Sequence, residues 1–411
     1  MRKIAFFVLV INLFPGPAVS GEDGLTLEQA VNLALQQNPE ILAAQKDFII
    51  SRGRRLQMEA VPDPQIVFSD EGLPLKKNAA GGYDKEYSFG VLQNLEFPGK
   101  TVLRGKIGKY GEDIASLDLD RVRLLVKVRV KKAYYKAVCS KRSIEVLEKT
   151  SVLLDQFIEN LLTKYQAGTA LYSDVLRARV DKARLQNRVI EEKKDLKTDL
   201  TELNLLLSRK GGDPLDLSTA MVYLPLNKTL AQLKEEALAS RPSLKILAAK
   251  REQAGAGVRL AKMNHWPDLS LGLFLPSLRA GAWGFSVGIS VPLYWWKKQK
   301  GEILEAEGLN DQTLISFEQD KRRLLAGIEN AYAGVKAAEE QVNIFEQILL
   351  KEMEEELKIS ISYYQYGKIE FFSLLDLYRT FTATKLEHLK SLYLYLTSLA
   401  DLEIAGEEYA S

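Results

Sequence analysis

The chain is written twice, and this duplication limits its fold more than any other feature of the sequence. LTLEQAVNLALQQNPEI early on and LAQLKEEALASRPSL past the middle both place an alanine five residues before a proline. The pairs are Ala34 to Pro39 and Ala237 to Pro242, at an offset of 203. Pro62-Asp63 then matches Pro267-Asp268 at 205, and Phe97-Pro98 matches Val291-Pro292 at 194. Ala133-Tyr134 matches Ala331-Tyr332 at 198, and Tyr165-Gln166-Ala167-Gly168 matches Tyr364-Gln365-Tyr366-Gly367 at 199. These landmarks, in one order, define two tandem copies of a domain-sized unit, with a period too long for a solenoid repeat. The fall from 205 to 194 gives the first copy extra residues between Pro62 and Pro98, where Lys76, Lys77, Asn78, Gly81 and Gly82 have a loop composition. The expected division is a signal peptide over 1–20, a first repeat over 21–210, a linker over 211–229, a second repeat over 230–405 and a tail over 406–411.

Within each copy a modest helix precedes a short β region, then a very long helix, a glycine-marked turn and another long helix. Val130, Ala137, Ile144, Ser151, Ile158 and Tyr165 recur every seven residues, with Ala133, Ser140, Leu147, Leu154 and Leu161 three residues later in each heptad. Ile328, Val335, Val342 and Leu349, with Ala331, Ala338 and Phe345 between them, repeat the seam in copy two. The run from Gly99 to Lys164 reads as helix with few interruptions, roughly 100 Å long. A globular core has no use for such a length, although a solvated coiled-coil stalk fits the seam equally well.

The leader is read from Arg2 and Lys3 before an apolar run from Ile4 to Phe14, a Pro15-Gly16-Pro17 break, and Ala18-Val19-Ser20 before Gly21. This is the pattern of a secretory signal peptide; the apolar run is too short for an anchor helix. Without Arg2 and Lys3 the 56 basic residues become 54, against 54 acids, so no basic excess invites a nucleic acid. The lone Cys139 permits no intrachain disulfide and reads as a buried thiol. No later stretch approaches the ~18 apolar residues of a membrane helix, so a membrane contact has to be a barrel.

The β regions carry that pattern. Trp283, Phe285, Val287, Ile289 and Val291 alternate with Gly284, Ser286, Gly288 and Ser290. Leu269, Leu271 and Leu273 alternate with Ser270 and Gly272, and Tyr87, Phe89 and Val91 with Ser88 and Gly90, although Leu92 blurs the pattern. One apolar face and one small or polar face suit strands between lipid and a wet lumen. Trp266, Trp283, Trp295 and Trp296 fall at expected strand ends, where interface aromatics sit. A half-buried hairpin with core tryptophans is the alternative. Four strands are too few for a membrane barrel, which starts at ~8, and open edges in lipid are forbidden, so several chains have to contribute.

The whole mature chain resembles the outer-membrane efflux factor family, the TolC-like ducts. The duplication, the Pro-Asp strand starts and the exits LEFPGKTVLRG and SVPLYWWKKQKGEI carry the likeness. So does YQAGTALYSDVLRARV, through Tyr165, Gly168, Ser173, Asp174, Leu176 and Ala178. The second tip keeps Tyr364, Gly367, Ser373 and Leu375, with serine rather than an acid at 373 and Asp376 three residues on. The resemblance implies a mainly α protein with a membrane β-barrel portion: a homotrimer with four strands per chain, a twelve-stranded barrel and a long coiled-coil helical barrel. It implies outer-membrane lipid, a periplasmic membrane-fusion adaptor and an inner-membrane pump as partners. The FPGK exit looks most like the heavy-metal efflux branch. Lipid-anchored relatives carry an N-terminal cysteine, which this chain lacks at Gly21, so anchoring is expected to rest on the barrel.

No catalytic constellation, phosphate loop or Cys/His metal cluster is legible, and no cofactor or enzyme activity is expected. His265 and His388 are far apart, and Gly255-Ala256-Gly257 lies in helical pattern. The expected gate lies where Gly168 and Gly367 break the heptads. Its candidate residues are Asp376, Glu370, Asp174, Arg177 and Arg179, the arginines pairing with Asp376 or Glu370. By resemblance, acids after the second tip ring the closed pore, and three symmetry-related Asp376 carboxylates would attract cations. Asp174 and Glu370 as mere partners of helix dipoles remain an alternative. The tip residues Gly168, Thr169, Ala170 and Leu171, with Gly367, Lys368 and Ile369, are expected to meet the adaptor. The function expected is the exit duct of a tripartite efflux pump. An exit duct for one-step protein secretion and a soluble periplasmic scaffold stay open beside it.

Overall fold

The computed structural model describes residues 24–71, 86–276, 283–290, 295–346 and 350–405. The signal peptide with Gly21, the loop residues Lys76 to Gly82, Val291 and Pro292, Leu349 and the tail over 406–411 lie outside the described residues, as do the side chains of Trp295 and Trp296.

Each copy opens with two helices where the sequence suggests one. In the first copy α1 (Leu27–Gln37) and α2 (Pro39–Glu59) meet at Asn38; in the second α5 (Leu230–Ser240) and α6 (Pro242–Met263) meet at Arg241. Proline has no N–H to donate into a preceding turn, so it ends one helix and starts the next at the first position. The Asn38 amide N–H donates to Ala34 O and the Arg241 N–H to Ala237 O, both alanines buried. Thr26 with Gln29, and Thr229 with Gln232, close the same capping box at each start.

The helix α3 (Lys100–Gln166) runs unbroken for 67 residues, about 100 Å. It packs on α2, on α4 (Tyr172–Leu206), on α6 and on α9 (Phe371–Ile404). Its expected seam is buried at Val130, Ala133, Ala137, Ile144, Leu147, Leu154, Ile158 and Leu161, while Tyr165 is exposed where the tip begins.

Copy two departs from this. The helix α7 (Trp295–Ile344) ends in a π-type turn at 345–346, and α8 (Leu350–Gln365) follows. The repeat offset rises from 198 at Tyr332 to 199 at Tyr364, one inserted residue, and a π-turn is the way a helix absorbs one.

The strands β1 (Gln65–Glu71), β2 (Glu86–Leu95), β3 (Asp268–Pro276) and β4 (Gly284–Ser290) form one antiparallel sheet in chain order. Phe68 pairs with Phe89, Phe89 with Leu275, and Leu271 with Val287, so all outward apolar residues share a face. Trp295 and Trp296, expected at a strand end, instead open α7.

Between the copies, residues 207–229 follow α4 without a helix, and Leu217 bridges Leu25. The wholly buried Tyr134 ties this segment down: its hydroxyl donates to Leu25 O at 2.7 Å and accepts from the Thr219 N–H at 3.0 Å. One core surrounds α1, α3 and α4, a second the matching helices of copy two, and a third both tips.

Candidate functional site

At one end of the molecule lies the sheet. Ile66, Phe68, Phe89, Val91, Leu273, Leu275, Phe285, Val287 and Ile289 are exposed on its outer face. On a water-soluble monomer an apolar patch of this extent marks an interaction surface. Trp266 stands just before β3 and stacks on Phe97 with centroids 5.0 Å apart; Trp283 is exposed just before β4. The sheet joins the helices through a polar clasp. Lys100, buried at the start of α3, donates to Asp268 Oδ1 and to Trp266 O, each at 2.8 Å, and the Phe97 N–H donates to the same Asp268 oxygen at 2.7 Å.

At the opposite ends of the long helices lie the tips, each closed by one motif. The Thr169 N–H donates to Lys164 O and the Gly168 N–H to Tyr165 O; Lys368 and Gly367 donate likewise to Tyr363 O and Tyr364 O. Both glycines have φ +73°, the left-handed conformation this motif needs. The hairpins meet here: Leu161 and Val175 of the first share a core with Tyr364, Phe371 and Leu374 of the second. Lys164 Nζ sits 4.0 Å from the Tyr364 ring centroid. At the extremity Leu171, Thr169, Lys368 and Tyr366 are exposed, with Ala170 and Ile369 half-buried against the tip core.

The candidate gate residues are placed as follows. Glu370 is the N-cap residue of α9 but makes no side-chain cap bond. Asp174 lies in the first turn of α4, and its charge adds to burial in pushing the Tyr364 hydroxyl above the ordinary tyrosine range. Asp376 is exposed on α9. Within the chain, and among the described residues, neither Arg177 nor Arg179 makes an ion pair with Asp376 or Glu370. The Arg177 guanidinium lies instead over the Phe372 ring, at 5.9 Å.

The ion pair that does join the two hairpins near the tips is Arg379 on α9 with Asp181 on α4, which the sequence reading missed. The side chains of Thr150, Asp181, Arg184, Tyr378, Arg379 and Thr382 line a cleft of ≈ 270 Å³ beside it. Burial pushes the Tyr378 hydroxyl up to about 12. At the tip offset of 199 Asp181 matches Thr380, one residue past Arg379, so the repeat carries no charge signal for the pair.

Among the described residues no cluster of His, Cys, Asp and Glu is arranged to hold a metal ion, and no helix is long and apolar enough to cross a membrane. His388 faces Glu346 at 3.5 Å.

A family model for outer membrane efflux proteins matches residues 30–209 and again 233–405, one match per repeat. The chain belongs to the outer membrane efflux protein family. It is therefore an outer-membrane protein of the TolC-like type with a large periplasmic portion. It is 19% identical to the cobalt-zinc-cadmium resistance protein CzcC of Cupriavidus metallidurans over 92% of this chain and 88% of that one. With the cation efflux system protein CusC of Escherichia coli K12 it shares 22% over 64% of this chain and 60% of the other. Its fold is that of a CusC crystal structure, TM-score 0.77 at 19% identity, covering 92% of this chain and 91% of that chain. The Campylobacter jejuni CmeC outer membrane channel gives TM-score 0.77 at 17%, covering 93% and 86%.

Proposed function

We propose that the chain is the exit duct of a tripartite efflux pump, a homotrimer that passively conducts what an inner-membrane transporter and a periplasmic adaptor deliver. One observation carries this reading: a sheet with an apolar outer face and two unpaired edges, set on helices about 100 Å long. An edge in lipid leaves backbone groups unsatisfied, so the strands have to close with other copies; three copies give twelve strands. The helices then reach inward across the periplasm, and the exposed tip residues Leu171, Lys368 and Tyr366 face the adaptor. Three-fold symmetry gathers three Asp376 side chains near the narrow end. The pairing of Arg379 with Asp181 holds the hairpins of each chain together there.

The FPGK exit and the relatives concerned with cobalt, zinc, cadmium and other cations favour metal cations as the cargo class. The test combines two readouts in the native host. Cross-linked envelopes should yield this chain with an inner-membrane transporter and an adaptor, and its deletion should lower tolerance to divalent transition metals. Recovery with a protein-secretion ATPase and unchanged metal tolerance contradicts the reading.

A further inference from the structure

Just below the sheet, α2 and α3 leave a shallow groove of ≈ 350 Å³ lined by Glu59, Thr101, Val102, Gly105, Lys106 and Lys109. We propose that this groove holds the headgroup of an anionic phospholipid from the periplasm-facing leaflet, with Lys106 and Lys109 on its phosphate and Val102 against its acyl chains. The inference rests on the membrane-embedded duct proposed above and adds a lipid site to its outer surface.

Depth favours a headgroup. The start of α3 is fixed at the rim of the sheet, because Lys100 Nζ donates to Trp266 O, two residues before β3. At ~1.5 Å per residue Lys106 lies about 9 Å below that start and Lys109 about 14 Å. Helical side chains lean toward the N-terminus, which for α3 points at the membrane. A lysine stem lies along apolar surface and carries its ammonium further the same way. The headgroup layer is roughly 5–8 Å thick on each side of the hydrocarbon, and both ammonium groups reach it.

Orientation favours lipid over the lumen. Val102, Lys106 and Lys109 follow one another at four and three residues, so they share one face, and all three are exposed. The neighbours of α3 pack on its other half. A Cβ on Gly108 would lie 2.9 Å from Arg55 Cα of α2, and Gln253 Nε2 of α6 donates to Ile107 O beside Gly111. In a closed ring of helices the neighbours of each helix lie toward the axis, so the opposite face is the outer one. Val102, 61% exposed on that face, suits lipid better than a wet lumen.

Charge selects the headgroup. The other cations around the groove are already matched: Arg55 with Glu112 at 3.0 Å, Lys100 with Asp268 at 2.8 Å and Arg104 with Glu96 at 2.8 Å. Among the described residues Lys106 and Lys109 make no ion pair. The one acid in the groove, Glu59, leans on Arg55 at 3.7 Å, and Asp113, the next exposed acid on this face of α3, lies a turn further from the sheet. Lys297 and Lys300, exposed in the first turns of α7 and likewise without an ion pair among the described residues, extend the positive charge along the rim.

The experiment is native mass spectrometry of the detergent-purified full chain with phosphatidylglycerol or phosphatidylcholine added, which counts chains and bound lipids in one particle. The parent should retain one phosphatidylglycerol per chain at about a tenfold lower lipid concentration than phosphatidylcholine. Lys106→Gln with Lys109→Gln should bring phosphatidylglycerol down to the phosphatidylcholine level. Lys210→Gln with Lys245→Gln, which removes the same charge from exposed lysines far from the sheet, should keep the preference. Equal retention of the two lipids by the parent, or an equal loss in both double variants, overturns the site. Inorganic phosphate that displaces phosphatidylglycerol when sodium chloride of the same ionic strength does not would make it a free-phosphate site and overturn it too. Particles of three chains with no lipid preference remove the groove and leave the duct standing, whereas particles of one chain overturn the duct itself.

Discussion

The guanidinium of Arg379 on α9 pairs with the carboxylate of Asp181 on α4, joining the two hairpins of one chain a few turns from their tips. The acid is nearly buried and the arginine partly exposed, so the pair contributes about 1 kcal/mol per chain, and a symmetric trimer repeats it. Arg379→Ala or Asp181→Ala should loosen the tips and raise single-channel conductance in planar bilayers. The double variant Asp181→Arg with Arg379→Asp should restore it toward the parent value. Unchanged conductance in both single variants would remove the pair from the gate.

Asp376 is exposed and makes no ion pair within its own chain among the described residues. If three of these carboxylates surround the pore, Asp376→Ala should shift the reversal potential in a salt gradient toward lower cation preference, most clearly at low ionic strength. Arg177→Ala should affect conductance less than Arg379→Ala, since Arg177 meets a ring rather than a carboxylate.

Both tip glycines sit at φ +73° with nothing near enough to obstruct a Cβ, so substitution costs backbone strain alone. Gly168→Ala and Gly367→Ala should each destabilise by about 1 kcal/mol, read as an earlier denaturant midpoint of the tip amides in hydrogen exchange. Equal protection in parent and variants would contradict the left-handed tip motif.

Cys139 is half-buried in the helical region, and burial, with a lesser contribution from Glu192, pushes its thiol up to about 11. The thiolate is the reactive form, so alkylation at pH 8 should be slow in the native protein, rise steeply toward pH 11, and become fast at pH 8 only in denaturant. Rapid native labelling at pH 7 would contradict the buried environment.

What the sequence disclosed follows from which signals are periodic. The heptads of α3, the alternation in β3 and β4 and the tip glycines are local patterns, and the structure keeps them. The split at Asn38-Pro39 is equally local, since the proline that marks the repeat also starts a helix. Trp295 and Trp296 open α7 rather than close a strand, and since VPLYWW reads apolar throughout, periodicity does not mark where β4 ends. The π-turn after Ile344 shows only as a one-residue change of repeat offset. Arg379 and Asp181 lie 198 residues apart, one short of the tip offset of 199, so neither a local pattern nor the repeat marks them as a pair. The clasp of buried Lys100 with the partly exposed Asp268 joins the two copies, and although Asp268 is a repeat landmark the contact itself has no periodic signature.

The central claim is a duct closed by several copies of this chain. Its most direct test is the mass of the protein component of detergent-solubilised particles, from size-exclusion chromatography with multi-angle light scattering. A trimeric duct gives a single species containing three chains, stable on dilution in detergent. A folded, monodisperse monomer that stays soluble when the detergent is removed would contradict it, because the open edges of β1 and β4 and the apolar face between them would then be sitting in water.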